Sequence, residues 1–328
     1  MNGSHPEVAR AFELATRVLD QVCEVVVGKR EALTQVLAGI LAGGHVLLED
    51  FPGLGKTLAA RSLAQSLGLD FKRAQFTPDL LPSDLTGAFV YDQAAGDFVF
   101  RPGPLFCGLL LADEINRTPP KTQAALLEAM QEGTVTIDGL RRVISPIFTV
   151  LATQNPVEYE GTYPLPEAQL DRFLMRVTFG YPSSTDEWGL IRNRLERRRE
   201  EVVLPPVTDA AGLLSMQAAV ESVEVDPAVG RYCVALVEAT RHHDQVLIGA
   251  SPRGSLGRGL SARALAVLKG RDFVLPEDVK EVAKPVLAHR ITVKPELWMT
   301  SVSGSTVIDA TLDRVPTPAP TERPDTPR

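Results

Sequence analysis

The chain has 328 residues, of which 44% are hydrophobic and 23% charged, and its formal net charge is −7. This composition is ordinary for a globular protein with a sizeable core, and the acidic balance excludes a global basic field that would recruit nucleic acid. We expect no nucleic-acid partner, and no membrane span or secretory signal, because no long apolar run appears. Three widely separated cysteines are typical of a reducing, cytoplasmic location and give a structural zinc site little support.

The first half of the chain alternates between helix-like and strand-like segments. Apolar residues recur at helical spacing in some segments and form short continuous runs, typical of buried strands, in others. Helices are predicted over about residues 7–24, 29–42, 56–67 and 121–132, and strands over 45–49, 106–112 and 147–152. Strands that alternate with helices predict an α/β fold with a parallel sheet.

The pattern changes at Tyr181-Pro182, after which only helical segments are predicted. They cover about residues 186–201, 208–221, 227–242, 252–269 and 276–289. The C-terminal end is rich in proline and poor in apolar residues, which is typical of a disordered tail. We therefore divide the chain into an α/β domain over 1–185, a helical domain over 186–300 and a Pro-rich tail over 301–328.

A glycine-rich segment joins the first predicted strand to the helix that follows it. Glycines let backbone N–H groups converge on phosphate oxygens, and the helix directs its positive end at them. Lys56 is expected to reach the β- and γ-phosphates of ATP, and the Thr57 hydroxyl to ligate Mg²⁺. The strict motif has glycine where Asp50 stands, so a plain glycine-rich turn is the alternative. The residues expected to hold the nucleotide are Pro52, Gly53, Leu54, Gly55, Lys56, Thr57 and Leu58.

A second motif is the apolar strand Leu109-Leu110-Leu111-Ala112, which ends in the acids Asp113 and Glu114. Ligands of parallel sheets bind at the C-terminal ends of the strands, which is where these acids are expected to lie. Asp113 is expected to hold Mg²⁺, directly or through water, and Glu114 to polarise the water that attacks ATP. Acids at a strand end can be mere solvated caps, but the two motifs together predict a P-loop ATPase.

Further segments narrow this prediction to one family. They are residues 149–156, 163–173 and 249–253, together with 100–106 and 113–117. As a set they resemble the MoxR family of AAA+ ATPases, in the helix-2-insert branch, over about residues 10–300. The resemblance implies a P-loop AAA+ sheet domain with helices on both faces, followed by an all-helical lid domain.

The resemblance also implies three further catalytic residues. Asn155 would be the polar sensor at a strand end, Arg172 the arginine finger, and Arg253 a second sensor that opens a lid helix and is aimed at the γ-phosphate. Arg172 is expected to reach the ATP of a neighbouring subunit. A structural salt bridge from Arg172 to Asp171 or Glu167 is the alternative.

Smaller features follow from the same resemblance. Val27 and Gly28 would line the adenine pocket, although a plain helix–loop junction is the alternative. Residues 77–101 would contain the helix-2 insert hairpin, with Gly96 in its turn. Residues 133–143 would form a second hairpin with a tight turn.

The lid helix that Arg253 opens contains two unexpected glycines, Gly257 and Gly259. Glycine in a helix interior costs about 0.5–1 kcal/mol relative to alanine. They predict a frayed or mobile helix start, which would loosen the placement of Arg253.

The resemblance implies a homo-oligomer, a hexameric ring, that hydrolyses ATP to remodel or activate client proteins in a chaperone-like role. It also implies a partner with a von Willebrand factor A domain. One alternative is a nucleic-acid-dependent motor, since helix-2-insert relatives include replicative helicases; the acidic net charge opposes it. The other is a nucleotide-binding scaffold without turnover, which the presence of Glu114 and Arg172 opposes.

Overall fold

A computed structural model of the chain describes residues 5–94, 96–156, 161–198 and 202–319. An α/β part occupies the first half of the chain and a mainly helical part the second. Within the described ranges, no helix is both long and apolar enough to cross a membrane.

The α/β part has its helices and strands in alternation, as the sequence predicts. In chain order they are α1 (Pro6–Val25), α2 (Arg30–Leu41), β1 (Val46–Glu49), α3 (Lys56–Ser66), β2 (Phe71–Gln75), α4 (Pro82–Thr86), β3 (Gly87–Asp92), β4 (Asp97–Pro102), β5 (Leu109–Asp113), α5 (Pro120–Glu132), β6 (Thr134–Ile137), β7 (Leu140–Val143), β8 (Thr149–Gln154), α6 (Glu167–Leu170) and β9 (Met175–Val177).

Five of these strands form one parallel sheet, in the order β2-β5-β8-β1-β9. The predicted parallel α/β architecture is confirmed. The sequence does not predict β2 and β9, for two different physical reasons. Strand β2 lies at the edge of the sheet and carries Lys72 and Arg73, so it lacks the apolar run of a buried strand. Strand β9 has only 3 residues, too few for a pattern.

Helices cover both faces of this sheet. Side chains alternate between the faces along each strand. In β1, Val46 and Leu48 face the core shared with α1, α2 and α3, whereas Leu47 faces the core shared with α5. The sheet is therefore buried on both sides, which explains its near-continuous apolar strands.

Two β-hairpins project from the sheet part at the predicted places. Strands β3 and β4 form the first, with Gly96 at φ +66° in its turn. Strands β6 and β7 form the second, where Asp138 and Gly139 have φ of +49° and +77°. Positive φ at both central residues is the requirement of a two-residue hairpin turn, which explains the Asp-Gly pair.

The second half of the chain is mainly helical. Its elements are α7 (Ser184–Arg197), α8 (Ala210–Glu221), α9 (Pro227–Arg241), β10 (Val246–Ile248), α10 (Pro252–Leu268), α11 (Pro276–Glu281), α12 (Ala283–Leu287), β11 (Thr292–Val293) and α13 (Gly304–Arg314). The prediction that this part is helical only is wrong, because β10 and β11 form a short antiparallel pair. Strands of 3 and 2 residues are too short to leave a pattern in the sequence.

The prediction of a tail that begins at residue 301 is also wrong. Helix α13 begins after the N-cap Ser303, and its Val307 and Ile308 are buried against α9 and α12. The proline-rich residues 315–319 follow it without regular structure. Residues 320–328 of the predicted tail lie outside the described residues.

The expected disruption at the start of α10 does not occur. The helix is continuous from Pro252 to Leu268, with Ser251 as its N-cap. Two of its glycines are close-approach points: a Cβ built on Gly254 would lie 2.9 Å from a Leu287 methyl, and one on Gly257 would lie 3.0 Å from a Leu174 methyl. Gly259 has no such contact. The absent side chains at Gly254 and Gly257 let α10 pack closely, which offsets their intrinsic helix cost.

The helical part packs directly onto the α/β part. Helix α10 contacts α1 and α2, and α8 also contacts α1. Apolar residues of both parts form one continuous core. This packing fixes where the N-terminal end of α10, and therefore Arg253, lies relative to the sheet.

Candidate active site

A cleft opens at the C-terminal edge of the parallel sheet, where β1, β5 and β8 end. Its volume is about 380 Å³. Parallel strands bring the residues that follow them to the same edge, which is the usual ligand-binding edge of such sheets. The residues that line it are Pro52, Gly53, Gly55, Lys56, Thr57, Leu58, Asp113, Glu114, Thr153 and Asn155. We call this the phosphate-loop cleft.

The glycine-rich loop in this cleft has a conformation that side chains would disturb. Gly53 and Gly55 have φ of +80° and +83°, in the left-handed region that L-residues avoid. No atom lies within 4 Å of a Cβ built on either one. The loop therefore offers open backbone beside the N-terminus of α3, which is the arrangement that binds phosphate oxygens.

Lys56 lies among acids at the base of the cleft. Its Nζ donates a hydrogen bond to the backbone carbonyl of Asp50. Partial burial lowers the pKa of Lys56, while the charges of Asp50, Asp113 and Glu114 oppose that shift. A desolvated ammonium group that faces a cleft gains more from an anionic ligand than an exposed one would.

Asp50, the departure from the strict loop motif, has a structural role. Its carboxylate is buried and accepts hydrogen bonds from the backbone N–H groups of Phe179, at 2.8 Å, and Gly180, at 2.6 Å. The buried Lys29 donates to the carbonyls of the same two residues. Asp50 thus ties the start of the loop to the segment after β9, which a glycine could not do.

The two acids that end β5 are held by a threonine of the neighbouring strand. Thr153 Oγ1 donates to Asp113 Oδ1 at 2.6 Å and accepts from the backbone N–H of Glu114 at 2.8 Å. Glu114 itself has φ +59°, an unusual value for a residue with a side chain, at the point where the chain leaves the strand. The sequence analysis missed Thr153, although its position two residues before Asn155 at the end of β8 is the signal that could have found it.

Strand β2 contributes two more contacts that the sequence does not predict. Arg73 donates to Asp113 Oδ2 from Nε, at 3.0 Å, and from an Nη atom, at 2.7 Å. Gln75 donates to Glu114 Oε2 at 2.7 Å. These contacts could be found only once β2 was known to lie beside β5 in the sheet.

The remaining predicted residues lie near this cleft or on its margin. Asn155 is buried and lines it. Val27 and Gly28 lie against α7, where a Cβ on Gly28 would meet the Asp186 side chain at 2.5 Å and where its φ is +72°. Their role in an adenine pocket stays a prediction. Leu54 belongs to the loop but is not among the residues that line the cleft.

Arg172 and Arg253 lie together in a second, smaller cleft. Its volume is about 150 Å³, and its other lining residues are Met130, Gln131 and Asp171. Arg253 is not among the lining residues of the phosphate-loop cleft, because α10, which begins beside it, packs onto α1 and α2. That Arg253 is aimed at a γ-phosphate stays a prediction. We call the smaller cleft the arginine cleft.

The two clefts lie at opposite ends of the strands of the sheet. Met175, the first residue of β9, is opposite Val46, the first residue of β1. Arg172 therefore precedes the N-terminal end of the sheet, whereas Lys56 follows its C-terminal end. Strand β1 has 4 residues, so about 13 Å of sheet separates the two edges before loops are counted.

The acids beside Arg172 are engaged by other groups. Asp171 forms ion pairs with Arg290, at 2.8 Å, and with Arg253, at 3.6 Å. Glu167 accepts a hydrogen bond from Thr292. This arrangement argues against the alternative of a structural salt bridge from Arg172 to Asp171 or Glu167.

Comparison with known proteins agrees with this geometry. Residues 45–175 match the model of the ATPase family associated with various cellular activities (AAA), and residues 238–310 match an AAA lid domain. The chain is 42% identical to Chaperone MoxR1 of Mycobacterium tuberculosis, over 96% of this chain and 85% of that protein. The chain belongs to the MoxR family of AAA+ ATPases. It therefore binds nucleotide and hydrolyses ATP, and residues 238–310 of its helical part form the AAA lid.

Two further relatives extend the similarity along the chain. The uncharacterized protein YeaC of Bacillus subtilis is 46% identical over 314 residues, which is 96% of each chain. A crystal structure of a Cytophaga hutchinsonii protein superimposes with a TM-score of 0.89 at 40% identity, over 95% of this chain and 97% of that one. Sheet and lid of this MoxR-family member thus share their arrangement with an experimental structure.

The phosphate-loop cleft suits Mg-ATP in its donors as well as its shape. Open backbone at Gly53 and Gly55 and the ammonium group of Lys56 match phosphate oxygens. Thr57 and Asp113 add oxygen ligands, which Mg²⁺ prefers over nitrogen and sulfur. No arginine is among its described lining residues, although Arg73 pairs with the lining acid Asp113 and Arg117 with Glu114.

Proposed function

We propose that this MoxR-family ATPase hydrolyses Mg-ATP at the interfaces between subunits of a ring, a hexamer in the family resemblance, and that turnover drives remodelling of client proteins. The observation that carries the proposal is the separation of the two clefts. One has the loop, the lysine and the acids, and the other has the arginines. Each cleft is half of an ATPase site, and a neighbouring subunit can supply the other half.

The residues of the phosphate-loop cleft bind and orient ATP. Lys56 neutralises charge on the β- and γ-phosphates, and its lowered pKa, caused first by burial, reflects a desolvated position that an anion stabilises. Mg²⁺, held by Thr57 and by Asp113 directly or through water, would neutralise further phosphate charge. The bond from Thr153 keeps the Asp113 carboxylate in one orientation for that task.

Glu114 and Asn155 act on the attacking water. Glu114 accepts its proton as general base, and the Asn155 amide orients the water or the γ-phosphate. Gln75 holds the Glu114 carboxylate at 2.7 Å through one oxygen and leaves the other as an acceptor.

Arg172 and Arg253 act in trans. Charge on the equatorial oxygens of the γ-phosphate must be stabilised in the transition state, and a supplied arginine is worth roughly 10³–10⁵ in rate in related systems. A guanidinium stays charged and donates in a planar fork, which suits this task. Both arginines line one cleft, so a single docking of neighbouring subunits would deliver both.

A mixing experiment tests the trans site. Arg172→Ala subunits keep a sound phosphate-loop cleft, and Lys56→Ala subunits keep a sound arginine cleft. Each variant alone should be nearly inactive, and co-assembled rings should recover part of the ATPase activity. Proven co-assembly without any gain in ATPase activity would contradict the trans role. Arg263→Ala subunits mixed with wild-type subunits are the control for loss of a lid arginine as such, and this mixture should keep full activity.

The client role rests on similarity. A relative at 42% identity carries the name Chaperone MoxR1. The resemblance further implies a partner with a von Willebrand factor A domain. A Glu114→Gln variant that retains ATP should hold its client longest. Affinity capture with this variant and with Lys56→Ala, which should bind ATP more weakly, therefore tests the proposal at an ATP concentration that saturates only the first. Proteins retained equally by both variants would speak against ATP-dependent remodelling.

A nucleic-acid motor is the weaker candidate. The net charge is −7, and Arg192 of the arginine-rich helix α7 pairs with Glu196 on the same helix at 4.0 Å. Stimulation of the ATPase rate by single- or double-stranded DNA would favour this candidate. A scaffold without turnover is disfavoured by membership of an ATPase family.

A further inference from the structure

The turn that carries Arg172 is bound by the lid on several sides. The carboxylate of Asp171 accepts from Ser251 Oγ at 3.3 Å and pairs with Arg253 at 3.6 Å and Arg290 at 2.8 Å. All three partners belong to the lid, Ser251 and Arg253 at the start of α10 and Arg290 just after α12. The residue next to the finger is therefore a junction between sheet and lid.

Arg290 makes the most extensive of these contacts. Its side chain is only 4% exposed. The guanidinium donates to the Asp171 carboxylate at 2.8 Å, to the Phe173 carbonyl at 2.8 Å, and to the Leu174 carbonyl at 3.2 Å. It also donates to the carbonyls of Asp171, at 3.3 Å, and Val286. Every N–H of the guanidinium fork is thus accounted for.

Two acceptors of Arg290 belong to the residues immediately before and after Arg172 in the chain. Asp171 precedes the finger and Phe173 follows it, and both backbone carbonyls accept from the same guanidinium nitrogen. The neighbouring His289 ring also lies 3.1 Å from the Phe173 carbonyl. The backbone of the finger is therefore fixed to the lid rather than to the sheet alone.

A buried ion pair by itself is weak evidence for stability, because desolvation of both charges offsets their attraction. Burial lowers the pKa of Arg290, and Asp171 opposes that shift. The five hydrogen bonds of Arg290 are compatible with a purely structural role as well as with a positioning role. The location of the Arg290–Asp171 pair beside Arg172 favours the positioning role. Asp171, the acid of this pair, lines the arginine cleft together with Arg172 and Arg253.

We propose that Arg290 is a positioning residue for the arginine finger, and that it couples lid position in one subunit to ATP hydrolysis in the next. The inference rests on the proposed trans action of Arg172. A lid that shifts would carry Arg290 with it and move the turn at Asp171, so that Arg172 would lose its alignment with the neighbour's γ-phosphate. Misplacement of a catalytic group by about 1 Å can cost roughly 10²-fold in rate.

Arg290→Lys and Arg290→Met test the coupling. Lysine keeps the charge but cannot occupy five acceptors, and methionine removes both charge and fork. We expect kcat to fall about tenfold to a hundredfold in both, with the affinity for ATP unchanged, because the phosphate-loop cleft lies at the opposite edge of the sheet. Arg263→Met is the matched control. Arg263 likewise donates to a carboxylate of the lid, that of Glu221, and to the backbone carbonyls of Glu221 and Val223. This variant should keep wild-type turnover.

Mixed rings separate positioning from a general loss of structure. Arg290→Met subunits have a sound phosphate-loop cleft, so mixing them with Lys56→Ala subunits should restore activity, as it should for Arg172→Ala. No gain with Arg290→Met, while Arg172→Ala does gain, would overturn this inference and leave the trans site intact. No gain in either mixture would contradict the trans site itself. If Arg290→Met does not fold, Arg290→Lys takes its place, and wild-type kcat in that variant would overturn the inference.

Discussion

The two clefts of this ATPase differ in charge, in construction and in what the sequence reveals of them. The phosphate-loop cleft combines one lysine, which follows β1, with two acids at the end of β5. The arginine cleft combines two arginines with one acid that is already paired to the lid. Among the described lining residues, the first cleft has one more acid than cations and the second has one more cation than acids.

The two clefts also differ in the elements that build them. The phosphate-loop cleft is built on the C-terminal ends of strands, so the rigid sheet holds its residues in place. The arginine cleft is built where α5, the turn after α6 and the start of α10 meet. A site made from elements of both the α/β part and the lid can be opened by a movement between them, whereas a site on one sheet cannot.

The largest effect on the phosphate-loop cleft is expected from Glu114→Gln. The amide keeps the shape of the side chain but cannot accept a proton, so kcat should fall by roughly 10²–10⁴ while ATP stays bound. Phosphate release at saturating ATP measures the first quantity, and titration with a fluorescent ATP analogue measures the second. Glu132→Gln, on an exposed residue at the end of α5, is the control. Turnover at the wild-type rate would exclude Glu114 as the base.

The same contrast explains what the sequence could predict. The loop around Lys56 and the acids that end β5 are contiguous motifs, so residue order alone revealed the phosphate-loop cleft. Thr153, Arg73 and Gln75 escaped because they act through strand neighbours, and the neighbour order β2-β5-β8 is not written in any one segment.

The position of Arg253 could not be predicted from the sequence for a related reason. Its motif indicates the start of a lid helix but not which side of the sheet that helix packs against. Helix α10 approaches Leu287 closely at Gly254 and Leu174 closely at Gly257, and the sequence predicted that Gly257 would be a site of fraying. A glycine lowers helix propensity and also allows tight packing, and only the tertiary contacts decide which effect prevails.

Lys56→Ala should have the next largest effect, on binding rather than on chemistry. A hydrogen bond to a charged group is worth about 1.5–3 kcal/mol, so ATP affinity should fall roughly tenfold to a hundredfold. Calorimetric titration with ATP measures it. Lys284→Ala, which removes an exposed lid lysine paired with Asp309, should leave the affinity unchanged. Equal affinities in all three proteins would contradict the phosphate-loop assignment.

Asp50→Asn should have a smaller effect, and it tests the anchor of the loop. The amide keeps one acceptor oxygen, but it lacks the negative charge of the carboxylate that accepts hydrogen bonds from the N–H groups of Phe179 and Gly180. We expect a loss of about 1–3 kcal/mol in the free energy of unfolding and roughly tenfold weaker ATP binding. Asp226→Asn is the control, because asparagine caps a helix about as well as aspartate. Unchanged unfolding and binding would mean that the loop does not depend on this anchor.

The smallest effect at neutral pH is expected from substitution of His45, which lies at the N-terminal end of β1, the end nearer the arginine cleft. Its Nδ1 accepts from the backbone N–H of Val150, so its Nε2 carries the proton and donates to the carbonyl of Met130 in the arginine cleft. Burial lowers its pKa from 6.5 to about 4. The folded state therefore holds this ring neutral where the unfolded state protonates it.

The stability that His45 contributes is present above pH 6.5 and is lost as the pH falls toward 4. Linkage gives a loss of about 2 kcal/mol in the free energy of unfolding by pH 5. Urea denaturation at pH 7.5 and pH 5 measures it, and a His45→Gln variant should show a smaller difference between the two. Some pH dependence should persist, because His289 is buried and its pKa is lowered as well. If the variant and the wild type lose equal stability between these pH values, His45 does not stay neutral in the fold, and the link it makes between β1 and the arginine cleft is not sensitive to acid.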